Sequence, residues 1–257
     1  MSLTSFLILV LLLVLAPDTR GQTDQGLTES QRTVLALNAQ AVMHAKAHRY
    51  EETIALIQEA IRREPKLADL YNNLGVTYLN SGRPADALEP LQHALKLQPD
   101  GGQSYFYLGV ANSALSRHHD AIRYYEGAIR HRWIEAALYG NLGWSYYLIG
   151  KPREALESLE VAEKLKPGNF EILNNLGVIH ASLTHYKEAV SKLRQALVSR
   201  PESVLTRYNL GWVYAAQGNR TAALEQYEIL KTQDPELARN LYKTIYDDAV
   251  VATNSIR

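Results

Sequence analysis

Proline stands at Pro65, Pro99, Pro167, Pro201 and Pro235 on one 34-residue grid, and Trp133 occupies the grid point between them that lacks it. A fixed period of this length decides the architecture, because each period is one supersecondary unit that buries its apolar face against its neighbours. Two further sets of residues keep the same phase. Leu-Gly recurs at Leu74 and Gly75, Leu108 and Gly109, Leu142 and Gly143, Leu176 and Gly177, and Leu210 and Gly211. Alanine recurs at Ala87, Ala121, Ala155, Ala189 and Ala223, each followed in phase by Ala94, Ala128, Ala162, Ala196 or Leu230.

The phased small residues say how the unit is packed. Apolar residues in each half of the period recur at intervals of three and four, the signal of amphipathic helices. Glycine inside a helix costs about 1 kcal/mol relative to alanine, so a glycine held at one phase implies two helices crossing too closely for a β-carbon. The phased alanines provide the facing surface, and Tyr71, Leu74, Tyr78, Leu91 and Leu95 fill the space around the crossing. Asn80, Ser81, Gly82 and Pro84 break one helix from the next, and Gln98, Pro99 and Asp100 close the hairpin. In the fifth repeat Thr184 replaces the turn glycine. The expectation is an all-α chain of six helical hairpins at 34–67, 68–101, 102–135, 136–169, 170–203 and 204–237.

A stack of hairpins needs its ends covered. Thr28 followed by Gln31 is a capping-box pattern that starts the first helix early; residues 22–33 form the linker and that start. Leu237, Leu241 and Ile245 share a helix face suited to a C-terminal capping helix over 238–257, with residues from Thr253 frayed. At the other end, the apolar run from Phe6 to Ala16, followed by Pro17, Asp18 and Arg20, is too short to span a bilayer and matches a secretory signal over 1–21. That predicts a secreted or periplasmic protein; an uncleaved membrane anchor and a buried structural helix are the alternatives.

YNNLGVTY from Tyr71, YGNLGWSY from Tyr139, ADALEPLQHALKLQP and EALESLEVAEKLKP resemble tetratricopeptide repeats over about Val34 to Leu237. The resemblance implies a right-handed α-solenoid with a concave groove that binds protein or peptide partners. It also places asparagine at a groove-facing phase, here Asn73, Asn141, Asn175 and Asn209. An amide there offers a donor and an acceptor to a peptide backbone, or serves local hydrogen bonding within the repeat. Phe106 and Tyr107 interrupt this ladder in the third repeat, and Trp144, Tyr147, Tyr208 and Trp212 occupy groove-facing phases later. They act either as aromatic anchors for a partner or as packing between adjacent first helices. The cationic clamp that some family members use for a C-terminal carboxylate is absent, because the matching positions carry Asn38, Val42, Asn73, Gln103 and Tyr107.

Other chemistries find little support. With 27 basic and 27 acidic side chains the chain carries no net charge at pH 7, so a nucleic-acid partner is not expected. The absence of cysteine removes disulfides, thiolate metal sites and cysteine nucleophiles. His118 and His119 lie in a predicted turn and His44 and His180 at core phases, none forming a ligand cluster. Glu51 and Glu52, or Asp247 and Asp248, read as solvated helix faces. Asn219, Arg220 and Thr221 form a glycosylation sequon in a turn, and Trp133 either caps its hairpin by packing or is an exposed contact. No catalytic, metal, cofactor or small-molecule site is expected, and membrane contact follows only if the N-terminal segment is uncleaved. The expected function is a non-catalytic protein–protein interaction module or scaffold outside the cytoplasm. A structural spacer in an envelope or secretion complex is the alternative, and an adaptor subunit of an enzyme comes third.

Overall fold

The computed structural model describes residues 28–246, which form thirteen helices and no strand. The segment read as a signal, Asp247, Asp248 and the residues from Thr253 lie outside the described residues. Among the described residues no helix is long and apolar enough to cross a membrane. The chain divides into two compact units, the first ending at Ile134 and the second beginning at Glu135. Each is a stretch of all-α repeat solenoid.

The first unit holds α1 (Glu29–Lys46), α2 (Tyr50–Arg63), α3 (Ala68–Asn80), α4 (Pro84–Leu97), α5 (Gly102–Ala114) and α6 (His118–Arg130). They pair as hairpins α1–α2, α3–α4 and α5–α6, and α2 packs on α3 as α4 packs on α5. The capping box forms: Gln31 N–H donates to Thr28 Oγ1 at 3.2 Å, and Thr28 N–H donates to Gln31 Oε1 at 2.9 Å. His118 and His119 open α6 rather than sitting in a turn.

The second unit holds α7 (Ala136–Leu148), α8 (Pro152–Leu165), α9 (Phe170–Ser182), α10 (Tyr186–Ser199), α11 (Val204–Ala216), α12 (Arg220–Gln233) and α13 (Pro235–Tyr246). Three hairpins stack in sequence, and α13 packs against both α11 and α12. Ala238, Leu241 and Ile245 of α13 are buried in a cluster with Ala215, Ala223 and Leu230. In the sixth repeat the niche beside Gly211 is filled from the cap: a β-carbon there would lie 2.5 Å from a methyl of Leu241.

The glycine phase is a steric crossing, as the period implied. A β-carbon on Gly143 would lie 2.9 Å from the Ala155 carbonyl and 2.9 Å from Leu159 Cγ, inside van der Waals contact. Gly75 and Gly177 face Leu91 and Leu193 in the same way, and Gly109 faces the ring of Tyr125. Leu91, Leu159 and Leu193 are fully buried, each contributing about 1.5–3 kcal/mol of transfer free energy. All six hairpin turns put one residue in the left-handed region at matching phase: Gly82, Gly150 and Gly218, but His48, Ser116 and Thr184 in the other three.

Trp133 packs inside the first unit. Its ring stacks on Phe106 at 6.4 Å, and a β-carbon on Gly102 would lie 2.8 Å from Trp133 Cβ. Bulk at the third repeat is thus matched by missing bulk nearby.

Candidate functional site

In the second unit the first helices of the hairpins, α7, α9 and α11, lie side by side, with α9 contacting both α7 and α11. Residues at matching phases of these helices therefore share a face. On α7 that face carries Asn141, Trp144, Tyr147 and Leu148; on α11 it carries Leu205, Tyr208, Asn209 and Trp212; on α9 between them the matching phases carry Glu171, Asn174, Asn175, Val178, Ala181 and Ser182. Asn141, Trp144, Tyr147, Tyr208, Asn209 and Trp212 are all half-buried. Leu148 and Leu205 remain exposed at 37% and 46%. At the phase of Trp144 and Trp212, α9 carries the smaller Val178, and at that of Leu148 it carries Ser182.

Packing explains the half-burial. Tyr147 rests against the cluster of Leu159, Ile172 and Ile179, Tyr208 against that of Leu230 and Leu241, and Trp212 against that of Leu193 and Val213. The Trp144 and Tyr147 rings meet at 5.2 Å with a 42° tilt. Each aromatic is thus seated by one side while part of it remains open to solvent.

Charge is nearly absent from this layer. α7 contains no charged residue. α9 contributes Glu171, whose carboxylate is paired with Arg200 at 2.7 Å. α11 contributes Arg207, which donates to the Pro201 carbonyl at 2.6 Å and to Gln226 Oε1 at 3.3 Å. The charges sit instead along the second helices and in clefts beside them. One cleft of about 380 Å³ includes Arg194, Arg207 and Glu225, and its counterpart in the first unit, about 410 Å³, includes Arg83, Asp86 and Glu89.

The other predicted site residues are placed differently. Phe106 and Tyr107 are 0% and 2% exposed, so they are core residues of the first unit, with Phe106 packed against Tyr125 and Trp133. Asn73 and Asn175 are buried. Asn73 Nδ2 donates to Asn38 Oδ1 at 3.1 Å, a bond between successive first helices. The residue at the phase of Asn38 that would serve Asn175 is Gly140, and Asn175 Oδ1 has no hydrogen-bond partner.

A second set of polar residues escaped the sequence reading. Asn72 Oδ1 accepts from Ser104 Oγ at 2.8 Å, and Asn174 Oδ1 accepts from Thr206 Oγ1 at 3.0 Å, all four side chains being buried. The pairs stand at identical phase in the two units and tie one first helix to the next. The available signal was co-occurrence: of the phased positions, those followed by a hydroxyl residue 32 positions on carry asparagine. His180 is buried with Nδ1 unpartnered, and burial, then the neighbouring His185, lowers its pKa. Among the described residues no group of three or more His, Cys, Asp or Glu could hold a metal ion.

Residues 56–89, 136–169 and 182–238 each match a family model described as tetratricopeptide repeat. In those three segments the chain is similar to tetratricopeptide repeats. Three crystal or functional structures show the same fold. YrrB, described as a TPR protein with an unusual peptide-binding site, is 24% identical over 73% of this chain and 97% of its own, with a TM-score of 0.64. PilF of Pseudomonas aeruginosa is 15% identical over 84% of this chain and 99% of its own, with a TM-score of 0.75. PilW, described as a widely conserved type IV pilus biogenesis factor, is 19% identical over 81% of this chain and 98% of its own, with a TM-score of 0.73. No curated protein sequence matches the chain. Tetratricopeptide proteins generally bind protein or peptide partners, and this chain shares their fold.

Proposed function

We propose that the first-helix face of the second unit binds an extended segment of a partner protein, and that the chain acts as a non-catalytic interaction module or scaffold. The carrying observation is the combination on α7 and α11 of half-buried aromatics with two asparagines, Asn141 and Asn209, whose amides bond to no other described residue. A peptide crossing the three helices would exchange hydrogen bonds with those amides and bury its side chains against Trp144, Tyr147, Tyr208 and Trp212. Affinity then comes from a few aromatic contacts on a preformed surface rather than from charge. Export from the cytoplasm is part of this reading and rests on the apolar run from Phe6 to Ala16 alone.

The test compares wild type with an Asn141→Ala, Asn209→Ala, Trp212→Ala variant as bait in the extracytoplasmic fraction, with helicity checked by circular dichroism. Partners held by the wild type and lost by the helical variant support the reading. Identical captured sets overturn it. Asn175 is left intact because its burial would confuse a lost contact with a lost fold.

A further inference from the structure

We propose that the segment recognised on the α7–α9–α11 face is uncharged and proline-rich, bound as a polyproline II helix. The inference rests on the peptide-binding reading above and adds the ligand class. Three observations lead to it.

The first is charge. The only charged side chains on α7, α9 and α11 are Glu171 and Arg207, and both are committed to partners within the fold. A charged ligand residue would be desolvated here without compensation, which disfavours acidic, basic and carboxylate-terminated segments.

The second is the balance of donors and acceptors. Trp212 Nε1, Tyr208 Oη and the amides of Asn141 and Asn209 bond to no other described residue. Indole N–H donates only, and each amide adds two N–H donors beside one acceptor oxygen, so the set can bond several backbone carbonyls at once. An ordinary extended chain brings equal numbers of N–H and C=O groups. A proline-rich chain brings carbonyls with few N–H groups, and in polyproline II those carbonyls are unused.

The third is shape and spacing. Pyrrolidine rings stack flat on aromatic side chains, the contact used by aromatic-lined grooves that take polyproline II segments. Polyproline II advances about 3.1 Å per residue with three residues per turn, so its repeat of about 9 Å is close to the usual spacing of 8–10 Å between packed helices. One edge of the ligand would meet α7, α9 and α11 in turn, and roughly six residues would reach from Trp144 to Trp212. The small side chains of α9, Val178 and Ser182, leave room for the crossing. Because the ligand is already extended and stiff, less entropy is lost on binding.

Calorimetric titration of the full chain tests this with two neutral peptides of roughly a dozen residues, one a repeated Pro-Pro-Leu unit and the other with alanine for every proline. The proline peptide is expected to bind at least about tenfold more tightly, a difference of about 1.4 kcal/mol. It should weaken by at least about tenfold on Trp212→Ala and on the milder Asn141→Ala, Asn209→Ala pair, both still helical. Equal or tighter binding of the alanine peptide overturns the proline inference while leaving peptide binding on this face intact. Binding of the proline peptide that neither variant alters, or no binding of it at all, also overturns the inference. The bait comparison above then decides separately whether the face binds a partner.

Discussion

At the residue scale the repeat is enforced by close contact and by local backbone conformation. Gly109 lies against the fully buried ring of Tyr125, which cannot swing aside as an aliphatic side chain can. Gly109→Ala is therefore expected to destabilise by about 1–3 kcal/mol, read as a lower urea midpoint with unchanged helicity in water. The opposite sign is expected at Thr184. Its φ of +62° is a left-handed conformation that a β-branched side chain resists, and Thr184→Gly should stabilise by roughly 1 kcal/mol. A fall in the midpoint would show that another contact of Thr184 outweighs its backbone cost. The hydroxyl–amide pair gives a third case. Thr206→Val strands the buried Asn174 Oδ1 and should cost about 1–3 kcal/mol, whereas adding Asn174→Leu should recover part of the loss, because replacing both partners removes the unmet acceptor.

His180 makes the residue scale sensitive to pH. Burial and the adjacent His185 favour its neutral form in the fold, with Lys192 adding to them and Glu188 and Glu160 opposing. Its folded pKa is below the unfolded value of about 6.5, so its neutral state contributes fully above that pH. The contribution is lost as pH falls below it toward the folded pKa, since the unfolded chain then binds the proton more readily. Tyrosine stands at the same phase in Tyr78, Tyr146 and Tyr214. His180→Tyr should flatten the fall in thermal midpoint over this window, and an unchanged profile would assign the acid sensitivity elsewhere.

At the element scale, α13 substitutes for the hairpin that would otherwise follow. Leu241 is fully buried and occupies the niche beside Gly211, whereas Tyr242 on the same helix is 44% exposed. Leu241→Ala is expected to cost about 2–5 kcal/mol and to speed amide exchange in α11, α12 and α13, while Tyr242→Ala should change it little. Equal effects would mean that α13 is attached without capping. Elements of this kind were legible in the sequence because backbone and steric demands repeat: Leu-Gly, the alanines and the turn residues each have one physical job. The candidate site was legible only in part. Asn72 and Asn73, or Asn174 and Asn175, are neighbours in sequence, yet 72 and 174 bond a hydroxyl on the next first helix, and 73 bonds back to Asn38. Composition cannot separate those directions; the shared phase of 72 and 174, with a hydroxyl 32 positions on, does. Phe106 interrupts the asparagine phase in the sequence, yet Trp133 and Tyr125 enclose it in the core, and the tryptophan in the proline slot is the sequence feature that goes with this packing.

At the scale of the whole molecule, charge is spread unevenly over the helices. Basic and acidic residues balance over the chain, and in the second unit they concentrate on the second helices, leaving α7, α9 and α11 nearly neutral. Partner binding on that face is accordingly expected to change little between low and physiological salt, since few charges would be screened. A steep loss of affinity with salt would point instead to the arginine-bearing cleft beside α10 and α12. Val178 lies between Trp144 and Trp212 on the face in question, and Lys187 is exposed on α10. The most direct measurement places a photoreactive benzoylphenylalanine at one or the other position and irradiates the chain with its partner. The account predicts covalent capture from position 178 and none from 187; capture from 187 with none from 178 would contradict it.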